Sequence, residues 1–205
     1  MFKWMKRGLP ALLAGLLLFG VHAAAADTYT VQKGDSLWKI SLKYQVGLSE
    51  IIEANPQFKN PALIYPGDKV TVPLNDPHTL SMEEQVVRLC NAERAKYGLA
   101  PLKMNWQVSR VARYKSDDMR DKSYFDHTSP TYGSPFDMLK SFNVPYSTAG
   151  ENIAKGQKTA QAVVTAWMNS EGHRKNILNG NFTEIGVGYS TGGSTTYWTQ
   201  LFIRP

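Results

Sequence analysis

The sequence predicts an α+β protein of two units, a small one followed by a medium one. Three observations carry that prediction. Residues 28–73 run through β-rich and helix-patterned stretches in the order β-α-α-β. Residues 81–205 begin with helical apolar spacing and end in two β-rich runs around Gly192-Gly193. A short segment with Pro77, residues 74–80, lies between them. A length of 205 residues accommodates both units, and 42% hydrophobic with 20% charged residues is a globular composition.

The chain opens on a three-part pattern. Residues 1–7 are basic (Lys3, Lys6, Arg7), residues 9–21 are apolar, and residues 23–26 are alanines before Asp27. This predicts a secretory signal peptide over residues 1–26, cleaved near residues 24–27. Its apolar core is shorter than the roughly 20 residues of a membrane span, so no span is expected after cleavage. No cysteine stands near the cleavage site, so a lipid anchor is not supported.

In the small unit, residues 28–32 alternate and are rich in β-formers, which predicts a strand. Lys33-Gly34-Asp35-Ser36 predicts a turn, with Asp35 or Ser36 capping the next helix. Leu37, Ile40, Ser41 and Tyr44 follow helical spacing, and Gly47 stops that helix. Ser49 is expected to cap a second helix with Ile51, Ile52 and Ala54 as apolar positions. Asn55-Pro56 ends it, because the residue before a proline is pushed out of the helical region. Tyr65-Pro66-Gly67-Asp68 predicts a turn, and residues 69–73 a closing strand.

Residues 74–80 read as a linker too short to separate the units widely, with His78 solvated. A helix is expected over residues 81–97, with Met82, Val86, Leu89 and Cys90 inward, a Ser81–Glu84 capping box, and Gly98 as its stop. A second helix is expected over residues 106–122, burying Val108, Val111, Ala112 and Met119. A loop with His127 follows, then a short helix over residues 135–142. Residues 146–153 predict a strand carrying Gly150-Glu151-Asn152. Residues 159–169 are amphipathic, with Ala160, Val163, Val164, Trp167 and Met168 on one face, and residues 171–178 continue as a short helix or turn. Strands over residues 184–189 and 195–203 close the chain as a hairpin.

The net charge of +6 is spread out, without a like-charge run or a basic helix stripe. Nucleic acid is therefore not an expected partner, while a mild positive charge suits an anionic bacterial wall. The single cysteine, Cys90, can form no internal disulfide. Set among Val86, Val87 and Leu89, it reads as a small buried apolar residue; a nucleophilic thiol would need a histidine nearby in space. A monomer is expected.

Residues 28–73 resemble a LysM domain along their whole length. The matching residues are Tyr29-Thr30-Val31, Gly34 to Ile40, Asn55-Pro56, and Ile64 to Pro73. The resemblance implies binding of N-acetylglucosamine glycans such as peptidoglycan or chitin in a shallow groove. It places Gly34, Asp35, Ser36 and Leu37 on one side of that groove, and Asn55, Pro56, Ile64, Tyr65 and Pro66 on the other. For Leu37 and Ile64 a core role competes with sugar contact.

Residues 83–205 resemble the CAP (SCP-like) superfamily, which implies an α-β-α sandwich. The matching pieces are Asn91-Ala92-Glu93-Arg94, Phe125-Asp126-His127, Gly150 to Ile153, Trp167, Gly172-His173 and Gly186-Val187-Gly188. The run from Ser170 to Leu178 looks like the bacterial branch. The resemblance implies that His127, Glu151 and His173 meet in an open cleft. In eukaryotic members a second glutamate follows the helix tryptophan by three positions; here that residue is Ser170. Three readings of the cleft stay open: a Zn²⁺-like divalent cation held by two His and one Glu, a metal-free acid–base pair, or a polar cluster that fixes loops. The combined architecture resembles secreted proteins of spore-forming bacteria. It implies a wall-associated peptidoglycan-binding protein, with a metal-dependent hydrolase or a lipid-binding protein as alternatives.

Overall fold

A computed structural model describes residues 26–205. The expected signal peptide lies outside the described residues apart from Ala26. Among them, no helix is long and apolar enough to cross a membrane.

The small unit pairs β1 (Ala26–Thr30) antiparallel with β2 (Lys69–Pro73), with α1 (Leu37–Tyr44) and α2 (Leu48–Glu53) between them in the chain. Ser36 caps α1 by accepting from the Lys39 amide. The cap of α2 is Gly47, not Ser49, whose hydroxyl instead bonds Glu50. Val31, Leu37, Ile40, Ile51, Val70 and Val72 form the core of this unit.

The second unit is an α-β-α sandwich around a four-stranded sheet of order β3-β5-β6-β4. The strands are β3 (Lys103–Met104), β4 (Thr148–Lys155), β5 (Glu184–Gly192) and β6 (Thr195–Arg204). All pairings are antiparallel except β3 with β5. The two-residue β3 was not anticipated, being too short to leave a periodic signal. One face carries α4 (Trp106–Asp121) and α5 (Pro135–Ser141); the other carries α3 (Pro77–Lys96), α6 (Ala160–Asn169) and α7 (Glu171–Ile177). Period-2 alternation divides the sheet between these layers. Ile185, Val187, Trp198 and Phe202 join the α3 and α6 side, while Leu201 and Ile203 join the α4 side.

Helix α3 begins earlier than expected. Asp76 caps it through the Thr79 amide at 2.8 Å, and Pro77 suits the first helical position, where no N–H is needed. Residues 77–80 of the expected linker are therefore helix, and Ser81 lies within it rather than capping it. His78 sits on α3 with its ring 6.0 Å from that of Tyr189. The other expected elements form with ends shifted by a few residues, the largest change being the extension of β5 to Gly192.

Helix α4 lies directly on β5 because Gly186 and Gly188 face it. A Cβ at Gly188 would come within 2.1 Å of the Ala112 backbone, and one at Gly186 within 2.2 Å of the backbone of Val108 and Ser109. Opposite them, Glu83 of α3 is fully buried, pairs with Arg113 of α4 at 2.8 Å and accepts from the Tyr189 amide.

Candidate functional site

Of the three expected residues, His127 and Glu151 meet side chain to side chain at the edge of the sheet, while His173 is joined to this edge through its backbone. β4 is an edge strand, so both helical layers can reach it. Glu151 pairs with Leu201 of β6, on the α4 side, and Asn152 pairs with Gln200, on the α3 side. His127 comes in on the loop after α4, and His173 on α7 across the edge.

His127 Nδ1 and Glu151 Oε1 are 2.6 Å apart. The Glu151 side chain is 2% exposed and that of His127 is 56% exposed, so a buried carboxylate holds an imidazole open to solvent. Glu151 Oε2 is buried with no hydrogen-bond partner among the described residues. His173 is held through its backbone: its carbonyl accepts from Asn152 Nδ2 at 3.1 Å. Asn152 also donates to Gln200 Oε1, while Asn176 Nδ2 donates to the Glu151 carbonyl and to Asn152 Oδ1. These amides stitch α7 to β4.

The two imidazoles are driven apart electrostatically. The hydrogen bond to Glu151 raises the pKa of His127 above the ordinary histidine value. Burial, with the positive charge of His127 added, lowers that of His173. The two shifts run in opposite senses, so His127 holds its proton to a higher pH than His173 does.

Three residues support the site in ways the sequence reading did not assign to them. Lys115 is fully buried in α4, yet its ammonium donates to the carbonyls of Asp126 (2.6 Å) and His127 (2.9 Å) and to the Tyr124 hydroxyl (3.1 Å). One turn on, Asp118 accepts from the hydroxyls of Tyr124, Ser129 and Thr131. Lys115 and Asp118 thus anchor the loop carrying His127. Arg94 is buried and donates to the carbonyls of Ala100, Ile177 and Asn179, tying α3 to the segment after α7. A polar residue on an apolar helical face was the available signal for Lys115 and Arg94.

Ser170 joins α6 to α7. Its neighbour Glu171 pairs with Lys175 at 2.7 Å, and both side chains are 72% exposed, unlike the buried Glu151. Among the described residues, no group of three or more His, Cys, Asp or Glu side chains is arranged to hold a metal ion. His127 turns its Nδ1 to Glu151 Oε1, so the His127, Glu151 and His173 set expected for a divalent cation is not preassembled among the described residues. Cys90 is also removed from the chemistry: burial pushes its thiol up to about 12, and Gln200 Nε2 donates to its sulfur.

In the small unit the two groove loops lie side by side. The Val31 amide donates to the Asp68 carbonyl, and the Gly67 amide to the Val31 carbonyl at 2.9 Å. Asp35 accepts from the Tyr29 hydroxyl and the Gln32 amide, and Asp68 from the Tyr65 amide. Leu37 is buried in the core, and Asn55 is buried with its amide spent on Ile51 and Thr71. Gly34, Asp35, Ser36, Pro56, Ile64, Tyr65 and Pro66 remain at least partly exposed, Tyr65 most prominently at 64%.

These two sites, on these two folds, define a LysM unit joined to a CAP domain. Residues 87–202 match the cysteine-rich secretory protein family, CAP, and residues 29–73 match the LysM domain. The chain belongs to the CAP family and carries a LysM domain ahead of its CAP domain. It is 59% identical over 152 residues to the protein YkwD of Bacillus subtilis, spanning 74% of this chain and 57% of that protein. It is 56% identical over 45 residues to SpoIVD-associated factor A of Bacillus subtilis, covering 22% of this chain and 12% of that protein. A solved extracellular SCP-domain protein of Bacillus anthracis is 37% identical with a TM-score of 0.60, over 68% of this chain and 47% of that one. The chain thus spans little more than half the length of YkwD and less of the other two. The chain pairs a LysM domain with a CAP domain, and it is the Bacillus anthracis relative that is described as extracellular.

Proposed function

We propose that this protein binds peptidoglycan through its LysM unit and presents the cleft of its CAP domain at the cell wall or spore envelope. The observation that carries the reading is the exposed rim made by Tyr65 and the Gly34–Ser36 turn, on two loops braced by backbone bonds. Fixed turns offer amides and carbonyls to acetamido and hydroxyl groups, while an exposed aromatic ring covers a sugar face. The residues proposed to line the groove are Gly34, Asp35, Ser36, Pro56, Ile64, Tyr65 and Pro66, with Leu37 and Asn55 shaping it from beneath. Relatives named for spore components, SpoIVD-associated factor A and the spore coat assembly protein ExsA of Bacillus cereus, favour the envelope of a spore as the place. The test is co-sedimentation with purified peptidoglycan. Tyr65→Ala is expected to weaken retention about tenfold, and equal retention of wild type and variant overturns the groove.

A second reading makes the CAP cleft hydrolytic, and the opposed shifts of the two histidines favour it. Neutral His173 would take a proton from a nucleophilic water, and protonated His127 would give one to the leaving group, with Glu151 holding its charge. Release of soluble fragments from wall material, lost in His173→Ala, is the expected result. Equal release by both proteins ends this reading.

A further inference from the structure

The seam between the two domains contains a cleft of about 630 Å³, within the range of small-ligand sites. It is separate from both the loop groove and the histidine cleft. Trp38 of α1 enters it from the LysM side and is half exposed. Trp106 and Tyr114 of α4, with Phe142 just beyond α5, line it from the CAP side. Gln107 and Asn143 add side-chain amides to the same wall.

The seam is held in register. Arg110 of α4 grips Glu50 of α2 through two bonds, Nε to Oε1 at 2.5 Å and Nη2 to Oε2 at 2.7 Å, and also donates to Ser49. Its guanidinium lies 4.8 Å from the centre of the Phe142 ring. At Gly47 a Cβ would come within 2.3 Å of Arg110 and 2.0 Å of Glu50, so a side chain there would push this ion pair aside.

The chemistry of the walls selects a ligand class. Among the described residues Arg110 is the one cation lining the cleft, and its charge is paired with that of Glu50. The remaining lining acid is Glu53, and burial pushes the Tyr114 hydroxyl up to about 12, which keeps it neutral. An anionic ligand finds no free counter-charge. Aromatic surfaces from both domains, with amides beside them, suit a neutral molecule having apolar faces and polar edges. Trp38 lies two residues beyond the α1 cap, Ser36, so the cleft opens within one helical turn of the loop groove.

We propose that the domain seam is a second saccharide site, taking N-acetylhexosamine units of a neutral glycan that extends from the LysM groove. This rests on reading the LysM unit as an N-acetylglucosamine binder. The CAP domain then contributes directly to glycan affinity, and chain length becomes the variable that separates one site from two.

The experiment titrates the full described chain with the pentamer and the dimer of N-acetylglucosamine, read by calorimetry and by the indole N–H signals of Trp38 and Trp106. The pentamer is expected to shift both indole signals. Trp106→Ala and the exposed-site variant Asn143→Ala are each expected to weaken the pentamer about tenfold while changing the dimer less than twofold. Asn143→Ala keeps the test valid if Trp106→Ala does not fold. If both variants bind the pentamer as wild type does, or if the Trp106 signal stays fixed at saturation, the seam site is overturned and the groove stands. If wild type binds neither oligomer, the groove reading falls and the seam site falls with it. If neutral peptide, and not glycan, shifts the Trp106 signal, the ligand class is overturned.

Discussion

His127 and His173 show how environment assigns different roles to one residue type. Glu151 raises the pKa of one imidazole, while burial lowers that of the other. An NMR titration of the ring protons is expected to place His127 above the ordinary midpoint of about 6.5 and His173 below it. Glu151→Gln removes the main cause and should bring His127 back towards the ordinary value. Both shifts enter stability through linkage. The contribution of His127 is fully present below its unfolded pKa and is lost as pH rises through its raised folded value. His173 acts in the opposite sense, costing stability as pH falls from its unfolded pKa through its lowered folded one. Coincident midpoints for the two rings would show that Glu151 does not hold His127 in solution. Lys115 can be tested at the same scale. Lys115→Met leaves the carbonyls of Asp126 and His127 and the Tyr124 hydroxyl without their donor, so amides of residues 124–131 should exchange about tenfold faster. Unchanged exchange there would remove Lys115 from the support of the site.

Among the elements, the contact of α4 with β5 matters most, because α4 carries Lys115, Asp118 and Arg110. It brings backbone against backbone, which the glycines of β5 permit. Gly188→Ala would put a methyl group into the Ala112 carbonyl, and a helix backbone cannot yield as a flexible side chain can. The expected loss is about 3 kcal/mol in urea unfolding, at the upper end for overpacking. A loss below about 1 kcal/mol would mean that α4 moves off the strand more easily than this packing allows. The motif residues of α3 have comparable structural duties. Asn91 exchanges two hydrogen bonds with the backbone of Leu102, and Arg94 reaches across to the segment after α7. Trp167 is a core residue whose indole N–H donates to the Ile153 carbonyl.

For the whole molecule, the contact of Arg110 with Glu50 and Ser49 ties the CAP domain to the LysM domain. Burial alone would raise the pKa of Glu50, but the bonds from Arg110 and Ser49 outweigh it and hold it below the ordinary value. The contact therefore stabilises the seam above the unfolded carboxylate pKa and is lost as pH falls through the folded one. Arg110→Ala is expected to cost about 2 kcal/mol, less than a fully buried pair because both side chains are partly exposed. It should also let the domains separate, seen as a larger radius of gyration by solution scattering. An unchanged radius would place the control of domain spacing in the short connection from β2 to α3 instead.

The sequence by itself determined the two domains, their order, and the residue types of both sites. Those properties rest on local signals: helical and strand periods, turn residues, and short motifs whose glycines and prolines each satisfy a backbone need. It also showed that Ser170 stands where an acid would be expected. Only the tertiary structure decided what these residues do together. It buried Leu37 and Asn55, turned Glu171 to solvent, and moved the start of α3 back to Pro77. It set His127 Nδ1 against Glu151 Oε1, and it paired Arg110 with a glutamate sixty residues earlier in the chain. The physical reason is common to all of these. Side-chain direction, burial and charge pairing depend on which elements pack together, and no local period carries that information.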